Sequence, residues 1–512
     1  VISPVQYNPV TKQLRVYTSI DYNLVYDGFD DRNAKTRRSN RVSESFLPLY
    51  RALVPNADEL LAAYEPVRGG YLILTPDAFE DTMAVLGRWK HLKGYDVVIA
   101  TASDIDPNGS SPDCGEVKSY IQNAYDTWEI PPEFVCIIGD ISTGIPDYPY
   151  GGYTSDHKYS LVDGSDYLSD IMVTRMSVTN WTNLRVAMYK AIKYEKEPYM
   201  GDAFYWLRGL SVAGNAYAIT PRITVLWVRH QLLNHGFSQV DTVFAWQGIP
   251  DHPNVNPGAA PILASMNNGV SMVSYRGYAS PSGWYYPSFS TSNLDQVQNN
   301  NKIGVMASIV CGTGAYDYPE CFGEKWIRMG ASPTSFKGGP GFYGTTNLGT
   351  HTKWNNPILI GYCWGFLEED IYNFASAAFR GKLHQYNTFP SHNSPGGRIE
   401  EYHHTYNTLG EPEFEIRTAI PRSMTVTYLS TIPVGTNMMQ VHVAGSGGLP
   451  LEGAYVNLLK GYGANEEVFV GGRTDSNGDI TLDFATSMED TMFVTVTARN
   501  YIPHTGYSLV QI

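Results

Sequence analysis

Basic residues are scarce in this sequence. Only 17% of its 512 residues are charged, and 36 Lys and Arg stand against 50 Asp and Glu, which leaves a net charge of −14. Proteins that bind nucleic acids neutralise phosphates with Lys and Arg, so this deficit argues against a nucleic-acid partner. The low charge, together with 37 Tyr and 48 Gly, is a composition that we associate with secreted proteins.

Long apolar runs are also missing. No run approaches the roughly 20 residues that a helix needs to cross a bilayer, so the sequence predicts no membrane span. The chain opens with Val1-Ile2-Ser3-Pro4 instead of a basic and apolar leader. We therefore expect that any signal peptide has already been removed.

Cysteine is sparse and odd in number. The five cysteines are Cys114, Cys136, Cys311, Cys321 and Cys363. At least one thiol is therefore unpaired even in an oxidising compartment. Cys136 and Cys363 lie in apolar runs and are predicted to be buried hydrophobic residues. The sequence leaves open a Cys311–Cys321 disulfide, which would abolish the nucleophilicity of Cys311.

The chain is too long for a single hydrophobic core and divides by pattern into four segments. Residues 1–68 contain a predicted hairpin, with alternating side chains from Leu14 to Tyr22, and then a linker with the basic stretch Arg32–Arg41. Residues 69–200 and 201–420 each alternate strands and helices. Residues 421–512 show only alternating strands separated by turns, which predicts a β-sandwich of about 90 residues.

The two middle segments predict an α/β architecture. Short apolar strands such as Tyr71–Leu74 and Phe134–Ile138 alternate with helical periodicity, for example at Phe79–Leu92. This alternation indicates a parallel sheet covered by helices on both faces. A long helix is predicted from Ile358 to Phe379, stopped by Gly381.

Two strand ends carry the residues with the clearest chemical meaning. The apolar runs that end near Ser274–Ser280 and Ala307–Gly314 place Tyr278 at one end and Cys311 at the other. Reactive side chains of open α/β sheets sit at the carboxyl edge of the strands, so these two ends are expected to face one cleft. Cys311 is a candidate nucleophile, but a cysteine nucleophile needs a nearby base, usually histidine.

These segments resemble the gingipain family of secreted cysteine peptidases, which have a caspase-like α/β fold. In that family a histidine follows a Tyr-x-Gly at the first strand end, and the catalytic cysteine follows an apolar strand about thirty residues later. Cys311 matches the cysteine, whereas Tyr278 stands at the position of the histidine. The resemblance runs from about Tyr71 to about Ile416. It includes the segments Ile137–Asp140, Ser155–Tyr159 with Asp163-Gly164, Cys321–Glu324 and Leu409–Pro412.

The resemblance implies a two-subdomain catalytic unit followed by an immunoglobulin-like domain. Residues 1–28 resemble the last strands of a gingipain-type propeptide. The family resemblance implies an extracellular or cell-surface location and a protein or peptide substrate. No cofactor is required by this chemistry, although a structural calcium ion is an expectation. The loops near Asp163–Asp166 and Asp317 offer oxygen ligands for it.

The resemblance also implies roles for individual residues. Asp156 lies where family members carry an acidic residue, which either orients the histidine or binds a Lys or Arg side chain of the substrate. The backbone amides of Gly277 and Cys311 are the expected oxyanion donors. Trp284 belongs to a Tyr- and Trp-rich rim that is suited to substrate contact, although ordinary core packing is the alternative.

Tyr278 is a poor substitute for a histidine base. The reference pKa of tyrosine is about 3 units above neutrality, so poising it at pH 7 requires about 4 kcal/mol of phenolate stabilisation. We therefore interpret Tyr278 as a packing or substrate-contacting residue, with proton transfer as the alternative. His351, which follows the strand Gly341–Gly344, is the first candidate for another base, and His157 is the second.

The sequence is compatible with two functions. The first is a cysteine endopeptidase that forms a Cys311 acyl-enzyme with a non-standard base. The second is a pseudopeptidase, in which the same fold serves as a binding or structural module of the cell surface or of an extracellular assembly. Whether the chain is an enzyme depends on what surrounds Cys311.

Overall fold

A computed structural model of the chain describes residues 4–23, 25, 28, 41–109, 111–214 and 218–512. The predicted basic stretch therefore lies outside the described residues except for Arg41. The N-terminal elements are β1 (Val5–Asn8), β2 (Gln13–Val16), β3 (Arg41–Ser43), α1 (Leu47–Leu53), α2 (Ala57–Leu61) and β4 (Glu65–Val67).

The predicted N-terminal hairpin is present. Strands β1 and β2 pair antiparallel, with Val5 opposite Val16, and the side chain of Asn8 accepts a hydrogen bond from the backbone of Val10. Strand β2 ends at Val16, because β1 offers only four residues for pairing, so the strand predicted to continue to Tyr22 is shorter than expected.

Residues 41–67, which were predicted to be part of a linker, fold against the first half of the α/β unit. Leu49 is buried in one hydrophobic cluster with Tyr71 and Phe134. The backbone amide of Ser45 donates to Glu133 over 2.8 Å. This segment is therefore attached to the α/β unit by apolar contact and by a buried hydrogen bond.

The first half of the α/β unit alternates strands and helices as predicted. Its elements are β5 (Gly70–Thr75), α3 (Glu80–Leu92), β6 (Asp96–Thr101), α4 (Ala102–Ile105), α5 (Cys114–Thr127), β7 (Pro132–Ile138), β8 (Met172–Met176) and α6 (Trp181–Lys196). Helix α5 begins where the Asp113 side chain accepts hydrogen bonds from the amides of Gly115 and Glu116.

The second half contains the larger share of the elements. They are β9 (Arg208–Gly214), α7 (Thr220–Asn234), β10 (Gln239–Phe244), α8 (Ala260–Asn268), β11 (Met272–Gly277), β12 (Ala279–Ser280), β13 (Gly283–Tyr285), β14 (Ser288–Ser290), α9 (Thr291–Leu294), β15 (Val305–Ser308), α10 (Phe322–Arg328), β16 (Gly330–Ser332), β17 (Ser335–Phe336), β18 (Gly341–Thr345), α11 (Thr352–Glu368), α12 (Phe374–Thr388), α13 (Arg398–Thr405) and β19 (Tyr406–Gly410). Short 3-10 helices of the described chain cover Asp77–Phe79, His157–Ser160, Ala203–Leu207 and Gly463–Asn465.

Both halves share one ten-stranded sheet in the order β10-β9-β11-β15-β18-β19-β8-β7-β5-β6. Strands β10, β9, β11, β15 and β18 are parallel to one another, as are β8, β7, β5 and β6. Strand β19 joins the two sets and runs antiparallel to β18. Residues of the sheet are buried on both faces, so the predicted two-part α/β architecture is confirmed.

The long helix predicted from Ile358 to Phe379 is wrong. The structure has two helices, α11 and α12, and Gly381 lies inside α12 instead of ending a helix. A Cβ at Gly381 would lie 2.6 Å from the carbonyl oxygen of Ile358, and one at Gly361 would lie 2.3 Å from Cβ of His384. Gly381 is therefore required for the close approach of the two helices.

The C-terminal segment is a β-sandwich, as its alternating pattern predicts. Its strands are β20 (Thr425–Thr427), β21 (Thr431–Pro433), β22 (Met438–Ala444), β23 (Tyr455–Lys460), β24 (Val468–Arg473), β25 (Asp479–Asp483), β26 (Asp490–Thr497) and β27 (His504–Gln511). They form one sheet in the order β20-β22-β25 and another in the order β21-β27-β26-β23-β24. Val441, Val456 and Val494 are fully buried in their common core. The sequence analysis did not foresee β21 and β27.

A buried charge network connects the two halves of the α/β unit. The Nζ atom of Lys90 lies 2.5 Å from Glu195, 3.0 Å from Glu411 and 2.6 Å from Glu413. Lys93 bridges Glu195 and Glu413 over 2.5 and 2.6 Å. Burial opposes the charge of Lys90, but the surrounding carboxylates outweigh it and raise its pKa. The network therefore ties α3 and α6 to the segment that follows β19.

We expect Lys90→Met to lower the free energy of unfolding by about 3–5 kcal/mol, because it leaves three buried carboxylates with only one ammonium group. The control is Arg51→Met, which breaks the exposed ion pair with Asp58 and should cost less than about 1 kcal/mol. Urea unfolding of both variants measures the difference. Equal decreases in the free energy of unfolding for the two variants would show that the charge network does not hold the two halves together.

Candidate active site

The parallel pairing of β11 with β15 builds the site. Tyr275 of β11 lies opposite Ser308 of β15, so Tyr278 and Cys311 each lie three residues beyond the same pair. The chain turns sharply after Cys311, where Gly312 has a φ of +66° that favours glycine. The turn is fixed because the Gly312 amide donates to the carbonyl of Asn347 over 2.9 Å. The structure thus brings the two predicted strand ends side by side.

Cys311 is buried, with 6% of its surface exposed. Its Sγ atom lies 3.2 Å from Oγ1 and 3.4 Å from the carbonyl oxygen of Thr350. Within the described chain both hydrogen bonds of Sγ are to Thr350, and no hydrogen bond joins the sulfur to an imidazole. All five cysteines are free thiols, so the Cys311–Cys321 disulfide that the sequence left open is absent.

Thr350 is the site residue that the sequence analysis missed. Its Oγ1 atom accepts a hydrogen bond from Nδ2 of Asn355 over 2.9 Å, which leaves its own hydroxyl hydrogen free to point toward Sγ. Thr350 lies 39 residues from Cys311, in the connection between β18 and α11. No local sequence signal marks it, because the contact depends on the pairing of β15 with β18.

Tyr278 lies at the rim of the site, with 49% of its side chain exposed. Its backbone is fixed by Tyr275, whose hydroxyl accepts from the Tyr278 amide and lies 3.0 Å from the Tyr278 carbonyl oxygen. Its ring lies 5.3 Å from that of Tyr285 and 6.4 Å from that of Tyr286. This placement is compatible with the predicted role in packing or substrate contact.

The predicted substrate role of Trp284 is wrong. Trp284 is 2% exposed and stacks on Tyr275 with ring centroids 4.2 Å apart. Its indole nitrogen donates to Oγ of Ser308 over 2.9 Å. Trp284 therefore belongs to the core beneath the two strand ends, which was the alternative that the sequence left open.

His351 lies next to the site, because it follows Thr350, but its ring is not free to accept a proton. The Nδ1 atom accepts a hydrogen bond from the backbone amide of Lys353 over 3.1 Å and caps helix α11. In a neutral imidazole with this bond the hydrogen is on Nε2, so neither nitrogen offers a free lone pair. His351 can act as a base only after the cap opens.

His157 does not reach Cys311 and is not a candidate base. It is buried, its Nε2 atom lies 2.8 Å from the carbonyl oxygen of Tyr167, and its ring lies 4.7 Å from that of His404. Burial lowers the pKa of His157 well below its usual value. The neutral ring is therefore a structural residue of this region.

The predicted role of Asp156 as a contact for a basic substrate is also wrong. Its carboxylate forms a buried, two-point ion pair with Arg175 over 2.8 and 2.7 Å. Asp156 is 3% exposed, so it cannot reach a substrate without breaking this pair. The charge of Asp156 instead neutralises a guanidinium that also donates to the carbonyls of Gly139 and Ile145.

A second buried guanidinium, that of Arg276, lies beneath the site without a carboxylate partner in the described chain. Arg276 is fully buried and donates to the carbonyls of Ile309 and Thr352 and to the side chain of Asn356. Burial lowers the pKa of Arg276 to about 10, and its charge interacts electrostatically with Cys311. The region behind the sulfur is therefore positively charged.

Gly277 ends β11 in a position that excludes a side chain. A Cβ there would lie 2.3 Å from the carbonyl oxygen of Gly214 and 2.3 Å from the hydroxyl of Tyr275. Close packing therefore explains why residue 277 is a glycine. The assignment of the Gly277 and Cys311 amides as oxyanion donors stays a prediction.

The calcium ion expected near Asp163–Asp166 or Asp317 likewise stays a prediction. Among the described residues, the acidic, His and Cys side chains that could converge on a metal are Glu195, Glu411 and Glu413. Their oxygens already bind the two lysines of the charge network, so that cluster does not fit a calcium ion.

In the part of the chain that the structure describes, no helix combines the length and apolar character that a bilayer crossing requires.

An open, largely parallel sheet with a thiol beyond the end of a central strand defines an α/β protein with a cysteine at the carboxyl edge of its sheet. Comparison with known families gives the particular member of this class. Residues 64–417 match the model of peptidase family C25, which is more than half of the chain. The protein belongs to peptidase family C25.

Curated relatives and solved structures agree with this family. Gingipain R2 of Porphyromonas gingivalis (strain ATCC BAA-308 / W83) is 22% identical over 465 residues, which cover 86% of this chain and 58% of the relative. Lys-gingipain HG66 of Porphyromonas gingivalis is 24% identical over 534 aligned positions, which cover 98% of this chain and 29% of the relative. The chain thus spans less than two thirds of either relative.

The crystal structure of the Arg-specific cysteine proteinase gingipain R shows the same fold. It matches with a TM-score of 0.75 at 17% sequence identity and covers 86% of this chain and 98% of that chain. The predicted resemblance to gingipains and the predicted fold class are confirmed.

If His351 acts as a helix cap, His351→Ala should lower the free energy of unfolding by about 1 kcal/mol, and His351→Asn should restore most of it, because asparagine is a good N-cap. Thermal unfolding measures both variants. A loss of peptide hydrolysis in His351→Asn without a loss of stability would instead show that the imidazole carries protons.

Proposed function

We propose that this protein is a secreted cysteine endopeptidase in which Cys311 forms the acyl-enzyme. The observation that carries this proposal is the position of Sγ at the carboxyl edge of the sheet, in contact with Thr350 and above a buried guanidinium. A thiol at this edge is placed to attack a carbonyl carbon once it has been deprotonated. Membership in peptidase family C25 supports the same chemistry.

In the proposed reaction Sγ attacks the carbonyl carbon of the scissile peptide bond. The C–N bond then breaks, the amine leaves with a proton, and a thioester to Cys311 remains. Water hydrolyses the thioester and restores the free cysteine. The hydroxyl of Thr350 donates to the thiolate and holds it in place while the substrate enters.

Proton transfer is the step that this site supports least, because no hydrogen bond joins an imidazole to Sγ in the described chain. His351 is the proposed carrier, since it follows Thr350 and can turn to the sulfur once Lys353 releases its Nδ1 atom. A base that must first break a helix cap predicts slow turnover compared with a preformed Cys–His pair.

The proposed substrates are proteins or peptides, and the proposed location is extracellular or on the cell surface. Both proposals rest on the gingipain relatives and on the low charge of the chain. The immunoglobulin-like character of the C-terminal β-sandwich and a structural calcium ion are proposed on the same family resemblance.

The absence of an imidazole at the described sulfur also favours a second candidate function. In that case the fold is a pseudopeptidase, and the exposed rings of Tyr278 and Tyr285 contact a binding partner in a cell-surface or extracellular assembly. The two candidates differ in the reactivity of one sulfur atom.

An active site should react with a thiol-directed peptidyl probe at Cys311 within minutes at pH 7, because the probe binds as a substrate and the thiolate attacks it. Mass spectrometry locates the labelled cysteine. Cys311→Ala should abolish the labelling, and Cys114→Ala, which removes the partly exposed thiol of α5, should not change it. Labelling no faster than that of a free cysteine peptide would support the pseudopeptidase.

Tyr278→His should increase the rate of peptide hydrolysis by about 100-fold or more, because it places a general base at the strand end that adjoins Cys311. The rate is measured with a mixed fluorogenic peptide library. Tyr285→His, which places an imidazole on the neighbouring exposed tyrosine, is the matched control and should have little effect. Equal rates for Tyr278→His and the parent protein would mean that residue 278 does not face the sulfur.

A further inference from the structure

We propose that the side chain of the substrate that precedes the cleaved bond is uncharged and apolar, preferably aromatic or aliphatic, and is not Lys or Arg. This inference rests on the proposed peptidase function and specifies its substrate class. It differs from the names of the relatives, which include an Arg-specific proteinase and Lys-gingipain.

The first argument is that the carboxylates connected to the site are already neutralised. Asp156 is buried in its ion pair with Arg175. Glu401 accepts a hydrogen bond from Asn347, the residue whose carbonyl holds the turn after Cys311, and Arg398 binds both of its oxygens over 2.8 Å. A cationic substrate side chain would therefore have to break the buried Asp156–Arg175 pair, or compete with Arg398 for Glu401 in an exposed pair that contributes about 1 kcal/mol or less.

One acidic residue of the loop after Cys311, Asp317, is exposed. A carboxylate in that position is surrounded by water, and exposed ion pairs contribute about 1 kcal/mol or less. Asp317 therefore cannot supply the selection for Lys or Arg that a buried carboxylate would.

The second argument is the charge of Arg276. Its guanidinium is fully buried behind the strand end, and its hydrogen-bond acceptors within the described chain, on Ile309, Thr352 and Asn356, are neutral. The charge is therefore not cancelled locally, and in a buried environment it is poorly screened. A Lys or Arg side chain that entered the site would be repelled by it.

The third argument is the apolar surface around the sulfur. Atoms of Leu348 and Pro281 lie 2.7 and 3.1 Å from the position of a Cβ on Gly312, so both side chains flank the residue that follows Cys311. Leu348 is 60% exposed although it sits at this turn, and the exposed ring of Tyr278 lies at the adjacent strand end. An apolar substrate side chain would cover these groups and remove their surface from water.

The test compares four peptidyl acyloxymethyl ketone probes that differ only in the residue next to the reactive group: Phe, Leu, Lys or Asp. The rate of labelling of Cys311 is measured by mass spectrometry on the full chain, and each rate is divided by the rate of the same probe with glutathione. We expect Phe and Leu probes to label Cys311 at least about tenfold faster than the Lys probe.

A charge introduced at the rim should change this preference. Leu348→Glu should raise the rate of the Lys probe relative to the Phe probe by about threefold to fivefold, because it removes apolar surface beside Gly312 and supplies an exposed carboxylate there. Leu429→Glu adds the same charge to an exposed leucine of the C-terminal sandwich and should leave the ratio unchanged.

The outcomes separate this inference from the proposed function. Cys311 labelling that is fastest with the Lys or Asp probe, or equally fast with all four, overturns the proposed specificity and leaves the peptidase proposal intact. If no peptidyl probe labels Cys311 faster than iodoacetamide does after the glutathione correction, both proposals fail. If Leu348→Glu does not change the ratio of the Lys-probe rate to the Phe-probe rate, the assignment of Leu348 to the substrate-binding surface is also overturned.

Discussion

The parallel pairing of β11 with β15 is the constraint on which the site depends. It sets Tyr275 opposite Ser308, and the residues three positions further along each strand then meet at one edge of the sheet. Both strands are buried on both faces, so a register shift of one residue would move every side chain to the opposite face, into space that is packed for a different side chain. The position of Cys311 is therefore fixed by the same burial that stabilises the sheet.

The two kinds of buried charge in this protein have different consequences. In the network around Lys90 and Lys93, opposite charges lie within 3.0 Å of one another and connect distant elements of the sheet. Arg276 is equally buried but has only neutral acceptors in the described chain. An unpaired buried charge costs stability, and such groups cluster where function uses them. Its location behind Cys311 is therefore the main electrostatic feature of the site.

The site keeps the thiol of a C25 peptidase in a changed environment. The sulfur contacts a threonine, the neighbouring strand end carries an exposed tyrosine, and the nearby histidine caps a helix. The proposed carboxylate contact for a basic substrate is occupied by Arg175. These contacts are the basis of the two proposals: that the substrate side chain is uncharged, and that protons are transferred less directly than in a Cys–His pair.

The sequence by itself determined the local structure: the alternation of strands and helices, the β-sandwich pattern after residue 421, and the placement of Tyr278 and Cys311 at strand ends. Periodicity and turn residues act over a few positions, so they can be interpreted without knowledge of the fold. The tertiary structure alone decided the partners of those residues, because Thr350 and Arg175 reach Cys311 and Asp156 across 39 and 19 positions of chain. It also decided that Gly381 permits a helix crossing and that Trp284 is core, since both depend on what packs against them.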